Sequence, residues 1–203
     1  LNNKDICAVI LAAGSSTRMG TAKQLLQLDG KYMLEHVIRN VVAQTFTKVM
    51  VVIGHKADEI RKRISIPSSH CSWIINNKYH LGQSTSFKAA LEHMDSSFRS
   101  AMFFLGDQPF IKAETIKTVL EEGCHKDKSM TNPFVIRPFY EHQPGHPVYW
   151  GNVKALDSSM LSGDEGGKRL LDLVEKYYLN VNDPNILFDI DTPADFKKAL
   201  KKQ

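Results

Sequence analysis

Residues 9–23, VILAAGSSTRMGTAK, decide the fold. A continuous aliphatic segment runs into three small residues, Ala12, Ala13 and Gly14, and then into a loop rich in hydroxyls and cations. Uninterrupted apolar character is what a strand covered on both faces requires. The loop that follows such a strand is where open α/β sheets bind ligands. Neither common phosphate-loop formula fits. A dinucleotide fingerprint needs G-x-G-x-x-G, whereas Gly14 and Gly20 stand six apart; a P-loop needs Lys directly after its last glycine, whereas Gly20 is followed by Thr21, Ala22 and only then Lys23. The chemistry is still legible. Small side chains let a base or a phosphate approach the backbone. Ser15, Ser16 and Thr17 bring hydroxyls, and Arg18 and Lys23 bring two cations suited to a triphosphate.

Working outward, residues 6–12, 48–54, 72–76 and 100–106 read as strands, the first, second and fourth being nearly continuous apolar runs. Between them lie stretches of helical length. Residues 33–44 space Leu34, Val37, Ile38, Val41 and Val42 along one helical face, and 56–64 form a shorter polar helix. Residues 84–94 begin at Ser84 as N-cap, and 113–123 close on Gly123. Four strand–helix repeats predict a parallel sheet with helices on both faces and every strand-to-helix loop on one edge. The second half is less regular. Strands are expected over 132–140, 146–150 and 185–190, and helices over 165–177 and 193–202. With no internal repeat and no low-complexity linker, residues 1–203 read as a single domain, a three-layer α/β/α sandwich.

Bulk properties exclude several classes. The 203 residues are 42% hydrophobic and 24% charged, as in ordinary globular domains. A formal charge of +4 is spread along the chain, concentrated only in the C-terminal KKALKKQ, so nucleic-acid binding is not expected. Cys7, Cys71 and Cys124 lack metal-ligand or paired spacing, which fits a reducing cytoplasm. No apolar run is long enough to span a bilayer. His55, His70, His80, His93, His125 and His142 have no metal-ligand spacing among them and read as surface or core residues, and Trp73, Trp150 and the phenylalanines as core.

Two acidic signals complete the candidate site. Asp107 ends the fourth strand run in FFLGDQP, on the edge that carries the first loop, and a carboxylate there is a natural ligand for Mg²⁺. In FDIDTPADF, Asp189 and Asp191 straddle Ile190; in an extended segment they point to opposite faces, so only one meets the site. Asp191 is also a candidate N-cap for the last helix, with Pro193 in its first turn.

LAAGSSTRMGTAK, GDQP and DIDTPAD, in this order and spacing, resemble the MobA-like nucleotidyltransferase family. GQSTSFKAAL, GHPVYW and GDEGGKRLL resemble its molybdenum cofactor cytidylyltransferase branch. The resemblance spans Val9 to about Phe196. It implies a mostly parallel Rossmann-like sheet of the nucleotide-diphospho-sugar transferase type, with a nucleotide-binding half to about residue 110 and an acceptor-binding half after it. It implies transfer of CMP from CTP to molybdopterin, with Mg²⁺ on Asp107 and Asp191. Arg18 and Lys23 would meet the triphosphate and, with Asp107, carry catalysis. Leu11, Ala12, Ala13, Gly14, Gly82, Ser84 and Ser86 would line the nucleotide, while Gly145, His146, Pro147, Gly163 and Arg169 would serve the acceptor. LAAG, where guanylyl-transferring relatives carry LAGG, favours cytosine. A molybdenum hydroxylase such as a xanthine dehydrogenase-type apoenzyme is the implied recipient of the product. Two alternatives stay open: a transferase acting on a sugar or polyol phosphate, and a non-catalytic nucleotide- or cofactor-binding delivery protein.

Overall fold

The structure, a computed structural model, describes residues 5–66, 69–156 and 168–202. The apolar runs form β1 (Ile6–Ala12), β4 (Lys48–Ile53), β5 (Cys71–Ile75) and β6 (Ser100–Leu105). A small hairpin, β2 (Gln27–Leu28) with β3 (Lys31–Tyr32), stands apart from the main sheet. The second half adds β7 (Phe134–Tyr140), β8 (Gln143–Pro144), β9 (Val148–Gly151) and β10 (Glu175–Asn180). The large sheet runs β10-β7-β9-β6-β1-β4-β5, with β8 on β7. Along that path β9 alone runs against its neighbours, β6 and β7. The rest are mutually parallel, as the alternation in the sequence predicts.

Strand alternation sorts side chains into two cores. One face gathers Ile10, Val51, Phe104, Ile136 and Tyr149 under α1 (Met33–Val42), α2 (Ala57–Arg63) and α4 (Ala113–Lys126). The other gathers Val9, Val52, Phe103, Val135 and Trp150 under α3 (Gln83–His93), joined by Leu170 of the short α5 (Lys168–Leu171). Each fully buried aliphatic side chain contributes about 1.5–3 kcal/mol, so these two layers hold the three-layer sandwich together.

Four expectations give way. Gly123 does not stop its helix, and α4 continues to Lys126; a Cβ at Gly123 would stand 2.4 Å from the Tyr149 ring, so the glycine instead admits a close helix–sheet approach. Ser84 is not the N-cap of α3; Gly82 holds that position and Ser84 lies inside the first turn, buried. Of the helix expected over 165–177, α5 covers four residues and 175–180 form β10, paired in parallel with β7; residues 165–167 lie outside the described set. Residues 185–190 are not a strand. Asp183 caps a 3-10 turn, Pro184–Leu187, by accepting a hydrogen bond from the Asn185 N–H.

The last helix, α6 (Pro193–Leu200), is capped by Thr192, not by Asp191. The Thr192 hydroxyl accepts from the Asp195 N–H while the Asp195 carboxylate accepts from the Thr192 N–H, a reciprocal capping box. Asp191 is thereby left free for other chemistry.

Candidate active site

The loops after β1 and β6 meet because small residues stand at the junctions, Ala12 at the end of β1 and Gly106 just after β6. The Gly106 N–H donates to the Leu11 carbonyl at 2.9 Å, and a Cβ on Gly106 would stand 2.7 Å from that of Ala12. That approach brings Asp107 beside the first loop. The loop itself is clamped from within by Gln24, which is buried. Its amide nitrogen donates to the carbonyls of Ala12 (2.8 Å) and Gly14 (3.1 Å). These bonds occupy two carbonyl oxygens that would otherwise repel an anion. The Lys23 N–H donates to Ser16 Oγ at 3.2 Å, which sets the start of the Lys side chain. Nothing in the sequence distinguished Gln24 from its neighbours.

The third strand of chain arrives from the C-terminal region. The Ile190 N–H donates to the Asp107 carbonyl at 3.1 Å and lays residues 189–191 alongside. Gln108, buried, donates to Asp189 Oδ1 (2.6 Å) and to the Ile186 carbonyl (3.1 Å). Because this segment follows a 3-10 turn and is not a strand, Asp189 and Asp191 both line the cleft, contrary to the opposite-face expectation.

Lys23 Nζ lies 2.5 Å from Asp107 Oδ2 and 2.6 Å from Asp191 Oδ1, and Arg18 Nη2 lies 2.9 Å from Asp191 Oδ2. Burial works against the Lys23 ammonium, but Asp107 and Asp191 outweigh it and raise its pKa. Burial likewise works against the Asp191 carboxylate, and Lys23 and Arg18 more than offset it, so its pKa falls. Among the described residues Asp189 makes no ion pair. Burial, then the nearby Asp107 charge, pushes it up to about 6 against the opposing Gln108 hydrogen bond.

This donor set fits a hard dication. Two carboxylate oxygens converge on one cationic centre, and the other Asp107 oxygen, Oδ1, is buried with no hydrogen-bond partner among the described residues. Magnesium takes one or two carboxylates and completes its shell with phosphate and water. No group of three or more His, Cys, Asp or Glu side chains able to hold a metal occurs among the described residues.

These groups open onto a cleft of about 980 Å³. Leu11, Ala12, Ala13, Gly14, Arg18, Lys23, Gly82, Ser86, Asp107, His146 and Asp191 all line it. Ser86 is held by Asn76, whose side-chain amide donates to its hydroxyl at 3.0 Å. Ser84, Gly145 and Pro147 are buried off the cleft; Gly145 has no room for a Cβ, which would meet the Ile186 carbonyl at 2.4 Å. Gly163 and the Arg169 side chain lie outside the described residues. The cleft also takes in Arg137, which no sequence signal marked, and His80, Phe103 and Trp150, expected from the sequence at the surface or in the core.

The family model for the MobA-like NTP transferase domain matches residues 8–180. The chain belongs to this family. Members similar to it include the molybdenum cofactor cytidylyltransferase of Escherichia coli K12, 26% identical over 97% of this chain and 96% of that protein. A probable molybdenum cofactor guanylyltransferase of Natranaerobius thermophilus is 29% identical over the same shares of the two chains. Among solved structures, Rv0371c of Mycobacterium tuberculosis H37Rv superposes with a TM-score of 0.80 at 22% identity, over 98% of this chain and 99% of that one. A second structure of Rv0371c, in complex with manganese, gives 0.76 at 21% identity, over 98% and 100%. This MobA-like chain is accordingly a nucleotidyltransferase. No helix among its described residues is long and apolar enough to cross a membrane.

Proposed function

We propose that this MobA-like transferase moves CMP from CTP to the terminal phosphate of molybdopterin, giving the cytosine dinucleotide form of the cofactor and pyrophosphate. The observation that carries the reading is the four-residue constellation of Arg18, Lys23, Asp107 and Asp191 at the mouth of β1 and β6. The near-full-length similarity to a cytidylyltransferase supports the acceptor and the base. On the same reading residues 1–203 are one domain acting in the cytoplasm, and a molybdenum hydroxylase apoenzyme receives the product.

The acceptor phosphate is an anion near neutral pH, so no protein nucleophile is required. Its oxygen attacks the α-phosphorus of CTP, the bond to the bridging oxygen breaks, and pyrophosphate departs with that electron pair. Arg18 and Lys23 offset the charge building on the leaving group. Asp107 and Asp191 would hold Mg²⁺, which when bound supplies charge neutralisation across the phosphate oxygens. Lys23 then exchanges a carboxylate partner for a phosphate one. Ala12, Ala13, Gly14, Gly82 and Ser86, which line the cleft, enclose the nucleoside, and Ala13 stands where LAGG relatives carry glycine.

Pyrophosphate release with Mg²⁺ and molybdenum-loaded molybdopterin, comparing CTP, GTP and ATP, tests the reading. Release with CTP alone is expected. Preference for GTP would move the chain to the guanylyl branch, and no release with any nucleotide would overturn the proposal.

A further inference from the structure

The floor of the cleft beyond the carboxylates is apolar until it reaches one charge. Val9 pairs with Phe103, and Phe103 with Val148, in register across β1, β6 and β9. On β7, Val135 faces the same core as Phe103, Val148 and Trp150, while Phe134 and Ile136 face the other. Alternation therefore turns Arg137, two residues beyond Val135, onto the cleft face, where it lines the cavity beside His146, Val148 and Trp150.

Arg137 is half-buried, and its hydrogen-bond partners among the described residues are neutral. Nε donates to the Gly145 carbonyl and Nη2 to the Pro144 carbonyl, both at 3.2 Å. Among the described residues no carboxylate pairs with it, in contrast to Arg18 and Lys23. Burial lowers its pKa, opposed by Tyr178, its register partner on β10. Holding a guanidinium out of water without a counter-ion is costly, and a guanidinium remains charged throughout the physiological range. Two carbonyls fix the plane of the group and leave Nη1 and one Nη2 hydrogen for an incoming oxyanion.

We infer that Arg137 binds the phosphomonoester of the acceptor, separately from the triphosphate cations, with Phe103, Val148 and Trp150 forming the apolar bed for the rest of that substrate. This rests on the transferase reading for the identity of the acceptor, though not for the anion site itself. A charge-assisted hydrogen bond contributes about 1.5–3 kcal/mol, which corresponds to roughly 10- to 100-fold in affinity.

Arg137→Gln should raise KM for the acceptor by about 10- to 100-fold and leave KM for CTP unchanged; Arg137→Lys should recover part of the loss. Equal effects on both substrates, or none on the acceptor, would overturn the inference. Arg137→Met, with its melting temperature measured beside the Gln variant, separates loss of the charge from collapse of the β8 turn. A second arm needs no turnover. Inorganic phosphate titrated into the full chain should shift the arginine Nε–H NMR signal that disappears in Arg137→Gln, and should do so equally in Lys23→Gln. A phosphate response lacking that signal would overturn the anion site. Transfer failing with every nucleotide while the Arg137 signal still responds would sink the transferase reading and leave the site standing.

Discussion

Lys23 and Asp107, 84 residues apart in the chain, are joined by a 2.5 Å contact between Nζ and Oδ2. The same ammonium holds Asp191, so one cation bridges the first loop, the end of β6 and the C-terminal segment. A ligand that takes Lys23 leaves Asp107 in need of another positive charge, whereas Asp191 keeps Arg18.

Asp107→Ala should therefore abolish most turnover without unfolding the protein. Removing one such electrostatic group typically costs on the order of 10²–10³ in rate. Lys23 keeps Asp191, and the buried, unpartnered Oδ1 is removed along with the charge, so the melting temperature should change little. Pyrophosphate release and a thermal melt on the same sample check both halves; a folded variant with near-normal activity would remove Asp107 from the site.

Base selection is expected to sit partly at Ala13, one of the residues that line the cleft. Ala13→Gly recreates the LAGG pattern and enlarges that wall. The ratio of kcat/KM for CTP to that for GTP should fall by about 10-fold, within the range a single methyl group commands. An unchanged ratio would place the discrimination elsewhere in the cleft.

His146 should stay neutral over the working pH range. Burial, and then the Arg137 charge, push its pKa down to about 3 from 6.5. An unfolded chain takes up a proton below 6.5 that the folded one refuses until about 3. This residue's contribution is thus fully present above 6.5 and lost as pH falls toward 3. Its imidazole resonances should not titrate between pH 5 and 8, and His146→Gln should flatten the acid limb of the stability profile. A titration midpoint near 6.5 would contradict the buried setting.

Gly123→Ala tests whether packing or helix propensity dominates in α4. Propensity alone predicts a gain of about 1 kcal/mol from alanine in a helix interior. The added Cβ would meet the fully buried Tyr149 ring, which is pinned by its hydroxyl donating to Asp127, and overpacking of this kind costs about 1–3 kcal/mol. A net loss in a urea melt is expected, and a gain would mean that the ring moves aside.

The order of these elements explains which were legible in the linear chain. β1, β4 and β6 are buried on both faces, and that environment writes itself locally as an apolar run, so each was visible without a partner. The small-residue loop and Asp107 were equally plain, because strand ends on one edge follow from right-handed crossovers alone. β10 was not visible. Glu175–Asn180 is an edge strand with only Tyr177 and Leu179 half-buried, and its hydrogen bonds exist only once β7 lies beside it.

The same division runs through the site. Arg18, Lys23 and Asp107 could be named from residue type and position, since phosphates and a dication favour cations and hard oxygens, whereas the choice of Asp191 over Asp189 rests on the family resemblance. Their mutual contacts, the clamp by Gln24, the turn that brings Asp189 to the same side as Asp191, and the lone charge of Arg137 depend on register between segments tens of residues apart. Local pattern records which face of a segment is buried; it carries no information on which distant backbone groups will meet that face. Only closing the sheet and docking residues 183–192 against β6 determines those neighbours, because each contact is fixed by hydrogen bonds between different parts of the chain.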